Sequence, residues 1–203
     1  MLTSELRWGA NAPEDLDGAR SRLIDASERT FARLGIARST VEEIAKEAKV
    51  SRATVYRYFD GRDELVLGVV LRTADRYLER TRPKLEQLGS LADVIVEFLA
   101  TTERATRRDP NLSILFTLDE AQIGGGIIAG ASLALFERVA VFFRPFFVRW
   151  ATQVRPGVDV NGASEWILRT LLSSLVVQGP QLRTSEGQKQ YLRTYLVPAI
   201  CKS

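Results

Sequence analysis

The chain has 203 residues, 45% of them hydrophobic and 26% charged, with a formal net charge of +3, a balance that suits a soluble globular protein with a sizeable core. It holds one cysteine, Cys201, and no histidine, which excludes an intrachain disulfide, zinc sites of the usual Cys/His type and His-based catalysis. The opening stretch MLTSELRWGANAPEDLDGAR has no signal-peptide core, and no later run approaches the roughly 20 apolar residues of a membrane span; a cytoplasmic protein with no membrane partner is expected.

In chain order, residues 1–14 mix Gly, Ala, Asn, Pro and charges without a period and read as a flexible arm in which Arg7 and Trp8 could touch a partner. From Leu16 the spacing is helical: Leu23, Ala26, Ser27, Thr30, Phe31 and Leu34 recur at three and four residues, and Gly35 follows as a C-cap. Thr40 with Glu43 forms a capping-box signature for a second helix of about two turns, buried through Val41, Ile44, Ala45 and Ala48. Ser51 is placed to cap a third helix to about Phe59, broken by Asp60 and Gly61. A fourth runs from Arg62 to about Thr81 and stops near Pro83.

Beyond Gly89, Leu91, Val94, Ile95, Phe98, Leu99 and Thr102 form the stripe of a fifth helix, and Leu112, Leu115, Phe116 and Asp119 that of a sixth. IGGGIIAGAS, residues 123–132, reads as a connection with a loose helix start at its far side. The seventh helix presents Leu135, Val139, Phe142, Phe143, Phe146, Phe147 and Trp150 on one side and should kink at Pro145. RPGVDVNG is a loop; an eighth helix from about Ala163 to Gln178 is apolar nearly all round, and a ninth spans about Ser185 to Ala199. No strand pattern or repeat emerges. The fold class expected is all-α, with about nine helices.

A net charge of +3 cannot by itself draw a nucleic acid, so any such role rests on local clustering. VSRATVYRYF supplies it. Two short helices joined by a tight turn have the dimensions of a helix-turn-helix. At about 100° per residue, the third helix buries Val55 and Phe59, with Val50 from the turn, and turns Ala53 and Arg57 outward between Thr54 and Tyr56. Arg52 and Tyr58 lie at the edges. A small residue permits close approach, an Arg can pair with guanine, and Thr and Tyr can meet bases or phosphates. KVSRATVYRYF holds three basic residues and no acidic one.

STVEEIAKEAKVSRATVYRYFDGRDELV resembles the N-terminal DNA-binding domain of the tetracycline-repressor (TetR) family, with its Thr-capped helix, short turn, T-x-Y-x-x-F recognition helix and acidic-Leu start to the next helix. The resemblance covers residues 16 to about 75 and implies a DNA-binding domain over residues 15–62, followed by a ligand-binding and dimerisation domain over residues 63–203. It implies that Thr40 and Ser51 cap helices and bond phosphates, and that Arg52, Ala53 and Thr54 form the groove-facing start of the recognition helix. Tyr56 takes a base-or-phosphate position, Arg57 the variable position after it, and Tyr58 a place where His often meets phosphate. Arg62 stands where a Lys is usual and is a candidate phosphate contact, and Lys49 stands where a Gly often supplies a left-handed turn.

The resemblance further implies a homodimer on a palindromic double-stranded DNA operator, released by a small-molecule effector held between the C-terminal helices, and no cofactor. An apolar or aromatic effector is expected, with Phe98, Phe116, Asp119, Phe142, Phe143, Phe146, Trp150 and Gln178 as candidate pocket residues. Trp166, Thr170, Ser173, Ser174, Val177, Tyr191 and Tyr195 are candidates for the dimer contact. The alternative is an all-α ligand-binding or interaction module that does not read DNA. An enzyme is not expected, since the C-terminal half has no His and no clustered acid pair.

Overall fold

The computed structural model describes residues 15–108, 126–177 and 184–202. These form α1 (Leu16–Leu34), α2 (Val41–Ala48), α3 (Arg52–Tyr58), α4 (Arg62–Glu86), α5 (Leu91–Arg108), α6 (Gly126–Arg149), a 3-10 turn (Ala151–Gln153), α7 (Val160–Val176), α8 (Ser185–Tyr195) and α9 (Val197–Ile200). Among the described residues the one β pairing is an isolated antiparallel bridge between Val154 and Cys201. The class is all-α, as expected. The arm at residues 1–14, the helix expected around Leu112 to Asp119, and Gln178 lie outside the described residues.

The chain divides into two compact units, with a boundary inside α4 between Arg72 and Thr73. The first unit is built on α1, α2, α3 and the start of α4. Asp15 caps α1 by accepting from the Gly18 N–H at 2.6 Å, and Gly35 closes it at φ 78°, a left-handed value that suits glycine. The apolar stripe of α1 (Leu23, Ala26, Phe31) meets Ile44, Ala45 and Ala48 of α2 and Val55 of α3, while α4 adds Leu65, Val66, Val69 and Val70; all are buried. Gly68 of α4 lies where a Cβ would run into the Ile24 side chain, so α1 and α4 approach closely there.

In the second unit α5 is buried on most of its circumference, from Leu91, Val94, Ile95, Val96, Phe98, Leu99 and Ala100 to the polar Thr102, Glu103 and Thr106. It packs against α7, α8 and α9. Phe142, Phe143, Phe146 and Trp150 of α6 meet Phe98 in a chain of ring contacts, edge-to-face between Phe98 and Phe143 (5.1 Å) and stacked between Phe146 and Trp150 (6.2 Å). The helix expected to be apolar nearly all round, α7, is thus less enclosed than α5. On α7 the buried face is Ala163, Ser164, Ile167, Leu168 and Leu171, and Trp166 is left 51% exposed.

Four helix bounds differ from the sequence reading. Helix α4 continues through Pro83 to Glu86; a proline there costs about 3 kcal/mol, against which the fully buried Leu85 contributes about 2 kcal/mol or more. Helix α6 starts at Gly126, inside the segment expected to be a connection. Helix α7 starts at Val160 because Asp159 caps it, accepting from Asn161 N (2.8 Å) and Gly162 N (3.1 Å). The last helix breaks after Tyr195 into the single turn α9, where Pro198 has no N–H to continue the ladder.

Candidate nucleic-acid interface and effector groove

Both helices of the helix-turn-helix are capped at their N-terminal ends by their own side chains. Thr40 Oγ1 accepts from Glu43 N at 3.2 Å while the Glu43 carboxylate accepts from Thr40 N at 2.9 Å, completing the expected capping box. Lys49 adopts the left-handed conformation (φ 57°, ψ 44°), and Val50 N then donates to Ala45 O at 2.9 Å, turning the chain toward α3. That conformation costs a non-glycine residue about 1 kcal/mol. Ser51 Oγ accepts from Thr54 N at 3.1 Å and lies 2.9 Å from Thr54 Oγ1. Val55 and Phe59 are buried, each contributing on the order of 2 kcal/mol, and Val50 is half-buried.

The outward face of α3 carries Arg52, Ala53, Tyr56 and Arg57, all exposed, with Tyr56 at 47%. Arg57 lies 5.2 Å over the half-buried Tyr58 ring. Arg52 reaches only a loose 4.0 Å contact with Glu42, both side chains being exposed, so phosphate can compete for it. Glu47 on α2 is engaged by Arg29 at 2.7 Å, and this hydrogen bond chiefly lowers its carboxyl pKa. Thr40 and Ser51 are exposed beside their caps.

Two expected readers sit differently. Thr54 is only 3% exposed: its hydroxyl turns back to Ser51 and completes the N-terminal cap, which removes it from the outward face. Arg62 is also turned inward, its side chain 22% exposed. Its guanidinium donates to Ser39 O at 2.9 Å and Ile36 O at 2.6 Å, tying the α1–α2 loop to the start of α4, with Asp63 at 3.5 Å. A pattern of residue types cannot show that carbonyls lie within its reach.

A further arginine, not singled out from the sequence, meets the other end of α3. Arg20 of α1 donates to the Tyr58 carbonyl and, at 2.7 Å, to Glu64, and lies 4.1 Å over the Phe59 ring. The other oxygen of Glu64 accepts from Asp60 N at 2.6 Å.

The second unit has an open groove of about 430 Å³ between α4 and α6, lined by Asp75, Leu78, Glu79 and Arg82 on one side and Glu137, Arg138, Val141 and Phe142 on the other. Arg138 pairs with Asp75 across it at 2.9 Å, and Arg82 lies 4.7 Å over the Phe142 ring. Of the expected pocket aromatics only Phe142 lines it; Phe98, Phe143, Phe146 and Trp150 are spent on one another in the core. Phe116, Asp119 and Gln178 fall outside the described residues. A buried polar group also went unread: the Glu103 carboxylate accepts from Gln188 and, at 3.0 Å, from Arg107.

Among the expected dimer residues, Trp166, Val177, Tyr191 and Tyr195 are exposed, the two tyrosine rings 4.9 Å apart. Ser173 is exposed as well. Thr170 and Ser174 are half-buried and donate to their own helix, at Trp166 O and Leu171 O. These residues leave an apolar and aromatic surface on α7 and α8.

A short capped helix with a small, aromatic and basic outer face, behind a second helix and a tight turn, defines a DNA-binding protein of the helix-turn-helix class. The model of bacterial regulatory proteins of the tetR family matches residues 23–69. An uncharacterized HTH-type transcriptional regulator of Mycobacterium tuberculosis is 31% identical over 182 residues, 90% of this chain and 85% of its own length. The chain belongs to the tetR family of transcriptional regulators. Two solved structures share the fold: the regulator FadR of Bacillus subtilis in complex with stearoyl-CoA (TM-score 0.57, 19% identity, 87% of this chain and 97% of that one), and RolR with resorcinol (TM-score 0.65, 16% identity, 91% and 88%). No helix among the described residues is long and apolar enough to cross a membrane.

Proposed function

We propose that the chain is a dimeric, ligand-responsive repressor that reads a palindromic operator with α3 and is released from it by a small molecule. The observation that carries the reading is the division of α3 between buried anchors, Val55 and Phe59, and an outer face of Arg52, Ala53, Tyr56 and Arg57. In this reading Tyr56 and Arg57 meet base edges across the close approach that Ala53 permits, while Arg52, Ser51, Thr40 and Tyr58 hold the backbone. Homodimerisation through α7 and α8 places two such helices on half-sites about one helical turn apart. A protein that reads bacterial DNA in this way works where that DNA is, in the cytoplasm.

The effector is an apolar or aromatic molecule held by the second unit. The open groove beside Leu78, Val141 and Phe142 supports this, because its 430 Å³ falls in the range of small-ligand sites and its lining mixes apolar with charged side chains. FadR with its acyl-CoA and RolR with its dihydroxybenzene are relatives in fold whose ligands have apolar bodies. Binding favours a state in which the half-site spacing no longer fits. The test begins with selection of duplexes from a randomised library by the dimer, followed by a thermal-shift screen of aromatic and acyl compounds and release of the selected duplex by each hit. Enrichment of no palindrome would overturn the operator reading; hits that stabilise the protein without releasing DNA would overturn the effector reading.

A further inference from the structure

We infer that Arg20 and Glu64 are positioning residues for DNA recognition: together they clasp the C-terminal end of α3 and set the angle at which its outer face meets the groove. Helix α3 has seven residues, too few to hold a helical geometry alone, so its direction is imposed from outside. Its N-terminal end is held by Ser51 and Thr54 and its middle by Val55. The C-terminal end carries Arg57 and Tyr58, and there the last carbonyls of a helix have no partner within it.

Arg20 fills that need with one planar group that makes three contacts. Its guanidinium donates to the Tyr58 carbonyl, donates to Glu64 at 2.7 Å and lies over the Phe59 ring with its central carbon 4.1 Å from the centroid. A cation at this end also complements the negative pole of α3. Glu64 closes the loop: while one oxygen takes Arg20, the other accepts from Asp60 N at 2.6 Å and fixes the turn that leaves α3. One pair of side chains thus ties α1, the end of α3 and the start of α4 into a rigid corner. A lysine is a poor substitute, because a point charge on a flexible stem cannot bond the carbonyl and the carboxylate while stacking on a ring.

A phosphate contact is the competing role for an exposed arginine in this unit, and charge separates the two. Removing the acid at position 64 should tighten DNA binding if electrostatics alone mattered; if the clasp sets geometry, it should weaken specific binding. The experiment compares Arg20→Lys and Glu64→Ala with the parental chain on a duplex that the parent selects from a randomised library and on a scrambled duplex of equal length, at several salt concentrations. Circular dichroism and dimer mass confirm that each variant is folded, and Arg20→Lys, which keeps the charge, stands in where the alanine variant does not fold. Both variants should bind the selected duplex about tenfold more weakly, hold the scrambled duplex within about twofold of the parent, and keep the parental salt slope. The double variant should be little worse than either single one, since the pair acts as a unit. Unchanged or tighter binding of the selected duplex by Glu64→Ala, or an equal loss on both duplexes in Arg20→Lys, overturns the clasp. A parental chain that selects no sequence overturns the recognition that the clasp serves, and the clasp with it.

Discussion

Tyr56 is the residue on which the recognition reading stands or falls. It is large, half exposed and carried on the same outward face as Ala53 and Arg57. Tyr56→Ala should weaken binding to the selected duplex by roughly 1 to 3 kcal/mol with thermal stability and dimer mass unchanged; unchanged affinity in a titration would remove α3 from base reading. Arg62 calls for the opposite expectation. Its bonds to the carbonyls of Ile36 and Ser39 are lost in Arg62→Ala, costing about 1 to 3 kcal/mol, while the salt slope of DNA binding stays as it was, because this guanidinium is spent inside the protein. A slope that drops by about one with stability intact would restore it to the phosphates. Ser51, Val55 and Phe59 were legible from spacing and cap chemistry. Thr54 and Arg62 were not, because what redirects each is a partner that sequence periodicity does not represent: a hydroxyl one turn back for Thr54, and two carbonyls of the α1–α2 loop for Arg62.

Elements follow the same rule. Strong local signals held, as in the Thr40 capping box and the closure of α1 at Gly35, whereas helix ends shifted where burial outweighed propensity, at Leu85 beyond Pro83, and where a cap inside a segment read as a loop started the helix early, at Asp159 before α7. The junction of α4, α5 and α8 makes a testable point about charge. Glu97 is partly buried, which by itself raises its pKa, but Lys189 at 2.8 Å, Lys84 at 2.6 Å and Thr101 at 3.1 Å outweigh that and bring it from 4.5 down to about 2. A carboxylate held lower in the folded state stabilises the fold fully above its ordinary pKa, and that share is lost as pH falls through the folded value. Glu97→Gln should therefore lower stability at neutral pH and flatten the fall in melting temperature between pH 4.5 and about 2. A variant whose melting temperature tracks the parent across that window would show that the two lysines add nothing to stability.

At the scale of the whole molecule, the capped helix hairpin with its basic, acid-free recognition segment pointed to a helix-turn-helix from spacing and charge, whereas the family came from the resemblance of its motif and from relatives that match along the chain. A ligand pocket was far less legible: an aromatic stripe looks alike whether it lines a ligand or fills a core, and Phe98, Phe143, Phe146 and Trp150 pack on one another. Assembly lies between these. Trp166 at 51%, Val177 at 64% and Tyr195 at 68% exposure contribute little to the core of one chain, yet large aromatic side chains left in water are the kind that anchor an interface. Replacing Trp166 and Tyr195 together by Glu should thus leave the helical signal near that of the parent, while sedimentation shifts from dimer to monomer at micromolar concentration and the melting temperature loses its dependence on protein concentration. Operator affinity must then fall much more than either half-site contact explains, since a monomer binds one half-site and forfeits the effective concentration that a linked second α3 supplies. A doubly substituted chain that still sediments as a dimer would move the interface away from α7 and α8; one that becomes monomeric yet keeps its operator affinity would show that a single α3 suffices for recognition.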